Sequence, residues 1–167
     1  YANFNSPQLI YNASWTAISA GGAHTLAIRN TGALYTWGPN SSGQLGDGST
    51  VNRGSPLQIG TSSWTAVAAS VSYSMAIRSG GRLFTWGASN FGQLAGSSTV
   101  SRSSPVSVGN LSWTLIASEG DNAFGITSNL LYGWGLNNAG QLGDNTTVNK
   151  SSPVLVGNNP IITNQSS

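Results

Sequence analysis

Few side chains in this sequence are able to do acid–base or metal chemistry. His24 is the only histidine, cysteine is absent, and the four carboxylates are Asp47, Glu119, Asp121 and Asp144. A histidine can act as a general base, but catalysis then needs a second group positioned to act with it. The sequence does not supply such a set. We therefore interpret His24 as a structural residue and predict that the chain is not an enzyme.

Glu119 and Asp121 are the only carboxylates that lie close together in the sequence. Two carboxylates in one turn, together with backbone oxygens, could bind Ca²⁺, but an acidic turn of this kind is more often simply solvated. The glycines do not form a phosphate-binding loop, because no Gly-Lys-Ser or Gly-Lys-Thr sequence occurs. We expect neither a metal nor a cofactor.

The composition is poor in charge and rich in small polar residues. Charged residues make up 6% of the chain, whereas about 25% is typical of a globular domain. The net charge of +2 comes from dispersed cations, which do not make a nucleic-acid-binding patch. No run of 18 apolar residues is present, so a transmembrane helix is not predicted. We expect no binding to nucleic acid and no insertion into a membrane.

The elements that position these side chains come from an internal repeat. The segment 34–46 returns as 83–95 and again as 131–143. The repeat landmarks are Trp15, Trp64 and Trp113; Trp37, Trp86 and Trp134; and Pro7, Pro56, Pro105 and Pro153. All three series have steps of 48 or 49 residues, and a period near 50 is typical of propellers or solenoids.

Each repeat contains four short segments with the content of β-strands. The first begins at Pro, the second at Trp15 or its counterparts, the third near His24, and the fourth contains Trp37. Four strands per unit indicate a propeller blade, and the absence of a 3.6-residue apolar period excludes a helical solenoid. We predict one all-β domain over 1–167, with repeats at about 7–55, 56–104 and 105–152. Residues 153–167 are the start of a further repeat or a tail.

The pattern Trp-Gly-x-Asn-x-x-Gly-Gln-Leu-Gly resembles the regulator of chromosome condensation (RCC1) repeat. The matching residues are Trp37, Gly38, Gly43, Gln44 and Leu45; Trp86, Gly87, Gly92, Gln93 and Leu94; and Trp134, Gly135, Gly140, Gln141 and Leu142. The second copy departs from the pattern at Ser89 and Ala95. The resemblance covers about residues 7 to 157 and implies blades of an RCC1-like propeller.

The signature residues have structural interpretations. We expect glycine after tryptophan to let the backbone leave the strand where a side chain would clash. We expect glutamine to satisfy backbone groups in the loop, because its amide offers both a donor and an acceptor. The leucines should hold each loop on the neighbouring blade. The recurring cations Arg53, Arg102 and Lys150 should bond loop carbonyls or pair with Asp47 and Asp144.

The family resemblance leaves several functions open, because its members include nucleotide exchange factors, chromatin binders, photoreceptors and secreted inhibitors. The charge-poor repeats are similar to those of phage virion and bacterial-surface members, which predicts a structural or adhesion module in a virion or outside the cell. One alternative is a secreted inhibitor or binding disc, for which Tyr73 and Phe91 are candidate rim aromatics. Guanine-nucleotide exchange is a further alternative.

Three repeats do not make a closed ring, because propellers typically have about 4–8 blades. Pro7 and Pro153 begin corresponding segments, so the chain has three units and one extra strand. An open arc would expose blade faces and a sheet edge that can pair with another chain. We expect either association with neighbouring chains, as in a six-bladed ring of two copies, or further repeats in a longer polypeptide.

Overall fold

The computed structural model describes residue 9 and residues 12–157, and in these residues all regular structure is β. The strands are β1 (Trp15–Ala20), β2 (Thr25–Arg29), β3 (Leu34–Gly38), β4 (Arg53–Gln58), β5 (Trp64–Ala69), β6 (Tyr73–Arg78), β7 (Arg82–Gly87), β8 (Arg102–Ser112), β9 (Leu115–Glu119), β10 (Asn122–Thr127), β11 (Leu130–Gly135) and β12 (Lys150–Leu155). The prediction of an all-β chain of four-stranded blades is confirmed.

Three antiparallel sheets form in chain order, and we name them blade 1 (β1–β4), blade 2 (β5–β8) and blade 3 (β9–β12). β-branched and aromatic residues favour the strands, and the turns follow from the residues between them. In blade 1 the β2–β3 turn places Gly32 at φ 82°. In blade 3 the shorter turn between β10 and β11 consists of Ser128 and Asn129, both at positive φ, as expected of a two-residue hairpin.

The proline-containing segments end the sheets and do not begin them. β4 contains Pro56 and pairs with β3, and β8 and β12 hold Pro105 and Pro153 in the same place. As the last strand of a blade, each tolerates a proline that cannot donate to a ladder. The sheets therefore span residues 15–58, 64–112 and 115–155, offset by one strand from the repeats that the sequence suggests.

This offset corrects one expectation. The segment at Pro153 is not an extra strand, because it pairs with β11 and completes blade 3. Residues 7, 8 and 10 of the matching segment lie outside the described residues, as does the tail 158–167.

The hydrophobic core lies between the blades. Each junction joins the aliphatic face of one blade, which we call its trailing face, to the aromatic face of the next, its leading face. The first junction contains Leu26, Ile28, Leu34 and Ile59 from the blade 1 side and Trp64, Ala69, Ala76 and Trp86 from blade 2. The second contains Met75, Ile77, Leu83, Leu94 and Val108 from the blade 2 side and Trp113, Ala123 and Trp134 from blade 3.

The three blades formed by residues 12–157 make an incomplete ring. Their number lies below the roughly 4–8 blades at which propellers close. No helix in the described residues is long and apolar enough to cross a membrane.

Candidate interaction faces of the blades

A buried chain of hydrogen bonds ties blade 1 to blade 2. The indole Nε1 of Trp86 donates to the carbonyl of Gln44 at 2.8 Å, and the Ser74 hydroxyl donates to the same oxygen at 2.8 Å. His24 Nε2 lies 2.8 Å from Ser74 Oγ. A serine hydroxyl has one proton to give, so Ser74 must accept from His24. His24 therefore carries its proton on Nε2 and links the two blades.

The His24 ring is held in its neutral form. Burial lowers the pKa of His24 from 6.5 to about 4, because desolvation disfavours the charged imidazolium. Nδ1 has no hydrogen-bond partner among the described residues, so a second proton there would be a buried donor without an acceptor. These contacts are those of a structural histidine, which agrees with its sequence interpretation.

The second junction uses the same tryptophan bond with different supporting residues. Trp134 Nε1 donates to the carbonyl of Gln93 at 2.9 Å, and Gln93 Nε2 donates to Asp121 Oδ1 at 3.0 Å. The hydroxyl of Tyr73, which stands where blade 1 has His24, donates to the carbonyl of Asn122. Tyrosine and histidine thus perform one bridging task with different partners.

Tyr73 is therefore not a rim residue, and that expectation is wrong. Its side chain is fully buried, and burial raises its pKa. The sequence showed tyrosine at a variable position near a turn, which hid its role between two blades. The other candidate, Phe91, is half-buried in the loop of blade 2, and its backbone N–H donates to Gln93 Oε1 at 2.8 Å.

Glu119 and Asp121, the two neighbouring carboxylates of blade 3, lie in different environments. Asp121 accepts the hydrogen bond from Gln93, whereas Glu119 is exposed at the end of β9. Within the described part of the chain, no three His, Cys, Asp or Glu side chains come together as a set able to hold a metal ion.

The signature glutamines close their own loops. Gln44 Oε1 accepts from the backbone N–H of Ser42 at 2.9 Å, and Gln141 Oε1 accepts from Ala139 at 2.8 Å. The leucines are held by their own blades as well, since Thr36 donates to the carbonyl of Leu45 at 2.8 Å. Leu94, which packs in the second junction, also contacts the next blade, as the sequence suggested for all three.

A buried asparagine organises the loops of blades 1 and 3. Asn137 Nδ2 donates to Asp144 Oδ1 and to the carbonyls of Thr146 and Val148, while its Oδ1 accepts from the backbone N–H of Leu142. Asn40 makes the equivalent bonds in blade 1. Ser89 replaces it in blade 2 and donates only to the carbonyl of Ser98, at 3.2 Å.

Ion pairs complete the same two loops, as the sequence suggested. Arg53 Nε lies 2.9 Å from Asp47 Oδ2, and Lys150 Nζ lies 3.1 Å from Asp144 Oδ2. Burial alone would raise the pKa of Asp47, but hydrogen bonds from Arg53 and Ser49 outweigh it and lower that pKa to about 2. In Asp144 burial is likewise outweighed, by hydrogen bonds from Thr146, Lys150 and Asn137, and the pKa falls to about 2.

Two sets of glycines permit close approaches. Gly38 and its counterparts have φ near 100°, and a Cβ on Gly38 would lie 2.6 Å from the carbonyl oxygen of Ala23. A Cβ on Gly43 or Gly92 would lie 2.6 or 2.5 Å from the Cα of a serine, Ser103 or Ser151, in the last strand of the next blade. The loop of each blade thus rests on its successor.

Open grooves flank both junctions at equivalent positions. One of about 450 Å³ is lined by Trp64, Phe84 and Arg78 among others, and one of about 250 Å³ by Trp113 and Tyr132. The Arg78 guanidinium carbon lies 5.2 Å from the centroid of the Phe84 ring. Because the grooves recur with the repeat, we attribute them to blade spacing and not to a dedicated binding cavity.

The leading face of blade 1 has its aromatic cluster but no preceding blade among the described residues. Trp15 meets Tyr35 at 5.5 Å and Trp37 at 6.4 Å between ring centroids, much as in the internal leading faces. All three side chains are half-buried. The repeat predicts equivalent buried places for Trp37, Trp86 and Trp134, and this prediction is wrong for Trp37, because burial depends on the preceding blade.

The trailing face of blade 3, which carries the aliphatic half of a junction, has no following blade among the described residues. Leu131 is 41% exposed, whereas its counterparts Leu34 and Leu83 are 0% exposed. Phe124, Ile126 and Val156 are half-buried where blades 1 and 2 have buried side chains. Gln141 is exposed although Gln44 and Gln93 are buried, and a Cβ on Gly140 would meet only the carbonyl oxygen of Thr146, at 3.9 Å.

A family model of the regulator of chromosome condensation (RCC1) repeat matches residues 31–77, 80–121 and 128–163. The chain belongs to the RCC1 repeat family. A second model of the RCC1 repeat matches residues 15–44 and 64–93, and these matches begin and end inside the blades because the repeat and the sheet are offset.

Several solved structures share the fold. Human WBSCR16 matches with a TM-score of 0.77 at 23% identity, over 88% of this chain and 39% of that one. Prp20p from Saccharomyces cerevisiae, described with its binding properties to Gsp1p and histones, matches with a TM-score of 0.72 at 18% identity, over 86% and 38%. Yeast RCC1 (Prp20) bound to Kap60 gives 0.73 at 16%, over 86% and 37%. The chain thus spans less than two fifths of the length of these structures.

Ser74 and Asp121 are the junction residues that sequence reasoning did not assign as partners. Ser74 stands where blades 1 and 3 have Thr25 and Ala123, so the repeat pattern marks the position as variable. Its partner His24 is variable in the same way. The two positions are neighbours in the repeat and both vary among the three copies, and this shared variability was the signal that could have linked them.

Proposed function

We propose that this RCC1-type chain is a non-enzymatic structural or adhesion module that acts through protein–protein contacts in a phage virion, a phage tail or a bacterial surface assembly. The charge-poor composition, with 6% charged residues, supports an exterior module more than a binder of nucleic acid. The buried His24 and Tyr73 and the half-buried Asp121 are engaged in holding blades together, which leaves them no catalytic role in this proposal.

The observation that carries the proposal is the pair of open blade faces. Trp37 is half-buried on the leading face of blade 1, and Leu131 is exposed on the trailing face of blade 3. At the two internal junctions, a neighbouring blade covers the equivalent faces. An apolar surface that matches one half of a blade–blade junction inside this chain fits another protein surface as its partner. The same faces support either assembly with neighbouring subunits or continuation into further blades.

Photo-crosslinking in the cells that carry the gene tests this function. A photoreactive phenylalanine analogue at residue 131 should link the chain to a neighbouring subunit of an extracellular particle or surface layer, identified by mass spectrometry of the purified material. The same analogue at residue 148 is the control, because the side chain there is exposed on a loop. A chain found only inside cells, or linked to nothing from residue 131, would overturn the proposal.

The alternatives predict other outcomes. A secreted inhibitor or binding disc would bind a soluble enzyme through an aromatic rim, but Tyr73 is buried and only Phe91 of the two candidates remains accessible. Exchange activity is motivated by the fold shared with Prp20p alone, and it would show as accelerated release of a labelled guanine nucleotide from a small GTPase.

A further inference from the structure

We propose that two copies of this chain bind head to tail, with the trailing face of blade 3 of one copy against the leading face of blade 1 of the other. This inference rests on the proposed function and names the partner of the open faces. In this contact the two copies pack together as blades 1 and 2, and blades 2 and 3, already do within one chain.

The two open faces are the two halves of one kind of junction. Inside the chain, aliphatic side chains such as Leu34 and Leu83 are buried against a cluster of two tryptophans and one Tyr or Phe. Blade 3 presents Leu131 and Val156 in the aliphatic places, and blade 1 presents the aromatic cluster around Trp37. Neither face matches a second copy of itself, because a junction needs one of each.

The polar groups of the junction are also in place. Trp86 and Trp134 donate their indole N–H groups to the carbonyls of Gln44 and Gln93. In a head-to-tail contact, Trp37 of one copy donates in the same way to the carbonyl of Gln141 of the other. That bond would bury Gln141, which is the exposed member of the three glutamines.

The loop of blade 3 has the shape for landing on a following blade. In blades 1 and 2 the backbone N–H groups of Gly48 and Ser97, both at positive φ, donate to the carbonyls of Ser103 and Ser151. Asn145 is their counterpart and also has positive φ, at 60°.

The counterpart of Ser103 and Ser151 in blade 1 is Gly54 in β4, where a Cβ would meet nothing within 4 Å among the described residues. Gly54 therefore leaves room for an incoming loop from another copy. Asn145 of that copy is placed to donate to its carbonyl.

Head-to-tail contact of this kind is heterologous, so it can close only if the rotation per copy completes a ring. Two copies supply six blades, which lies inside the range of about 4–8 at which propellers close. A chain of these 167 residues should therefore have twice the 17.1 kDa mass of one copy in solution.

Two blocked variants test the polarity of the contact. Leu131→Glu places a charge on the trailing face and leaves the leading face intact. Gly54→Arg places bulk on the leading side, where the chain itself has open space. Each variant alone should sediment as a monomer at about 100 µM, and an equimolar mixture should form a heterodimer through the one intact junction.

A matched control introduces the same glutamate at an exposed position outside the proposed contact. Val148 is 63% exposed, and its counterparts Val51 and Val100 stay 57% and 53% exposed beside a following blade. Val148→Glu should therefore leave the wild-type mass unchanged. Circular dichroism and thermal unfolding establish that each variant is folded, and Leu131→Ser replaces Leu131→Glu if the charge prevents folding.

The outcomes separate this inference from the proposed function. A monomeric wild-type chain, or a Leu131→Glu variant that still dimerises alone, would overturn the head-to-tail contact. A folded monomer that still crosslinks from residue 131 to a different subunit would overturn this inference alone and leave the function in place.

Discussion

At the scale of single residues, the buried His24 makes stability depend on pH. The unfolded chain binds a proton at this residue near pH 6.5, whereas the folded chain binds it only near pH 4. Unfolding therefore takes up a proton between these values, so the free energy of unfolding is fully present above pH 6.5 and decreases as the pH falls. The loss by pH 4 should approach about 3 kcal/mol, since one pH unit corresponds to about 1.4 kcal/mol.

Urea denaturation between pH 7 and pH 4.5 measures this effect, because the chain has no second histidine. In His24→Asn the dependence should largely disappear, although the variant is less stable at pH 7 for lack of the bond to Ser74. Blade 3 already has Asn122 at this position, so the variant should fold and still bind its partner subunits. An unchanged pH slope would contradict the assignment.

The loop glycines give a second prediction at this scale. Gly92 and Gly140 share a positive φ, 83° and 75°, so alanine is strained at both. Only at Gly92 would the new Cβ also meet a backbone atom of the next blade, Ser151 Cα at 2.5 Å. Gly140→Ala should cost about 1–2 kcal/mol from the backbone alone, and Gly92→Ala clearly more. Equal losses in denaturation of the monomeric chains would count against the loop contact.

At the scale of elements, the loop between β11 and β12 depends on one side chain. Asn137→Ser removes bonds to Asp144, Thr146 and Val148 and leaves buried backbone groups without partners. We expect a loss of about 1–3 kcal/mol in the free energy of unfolding and faster amide hydrogen exchange in residues 138–149. Unchanged exchange there would show that the asparagine does not organise the loop.

Blade 2 supplies the converse variant. Ser89→Asn restores the residue that blades 1 and 3 use, and its Oδ1 should accept from the backbone N–H of Leu94. We expect the free energy of unfolding to rise by up to about 1 kcal/mol. The gain is limited because blade 2 has Gly96 where blades 1 and 3 have the Asp that bonds the Asn side chain. A destabilised variant would show that the blade 2 loop has no room for the longer side chain.

At the scale of the whole molecule, the repeated tryptophans are not equivalent. Trp86→Ala removes a fully buried ring and the indole bond to Gln44, and it should cost about 3–5 kcal/mol. Trp37→Ala removes a half-buried ring, so in a dilute monomeric chain it should cost about half as much. Guanidinium denaturation of both variants tests this, and equal losses would mean that the leading face of blade 1 is already covered.

The periodic spacing predicted much of this architecture, because Trp15, Trp37 and their counterparts mark strands that every blade repeats. It also indicated the roles of the Gln44 and Arg53 side chains, whose bonds lie within one loop and so depend on local sequence. Contacts between blades were harder to predict from the sequence, because Tyr73 bonds to a residue 49 positions away. Periodicity also treats all copies alike, so it could not show that Trp37 and Leu131 lie on faces that no other blade of the described residues covers.

The offset between repeat and sheet has a consequence for synthesis on the ribosome. β3 ends at Gly38, but β4, which pairs with it, ends only at Gln58. At about 5–20 residues per second, the roughly 20 intervening residues take about 1–4 s to emerge. Through that interval the β3 edge of the nascent blade stays unpaired next to a loop of small polar residues, and an interval of similar length recurs for each later blade.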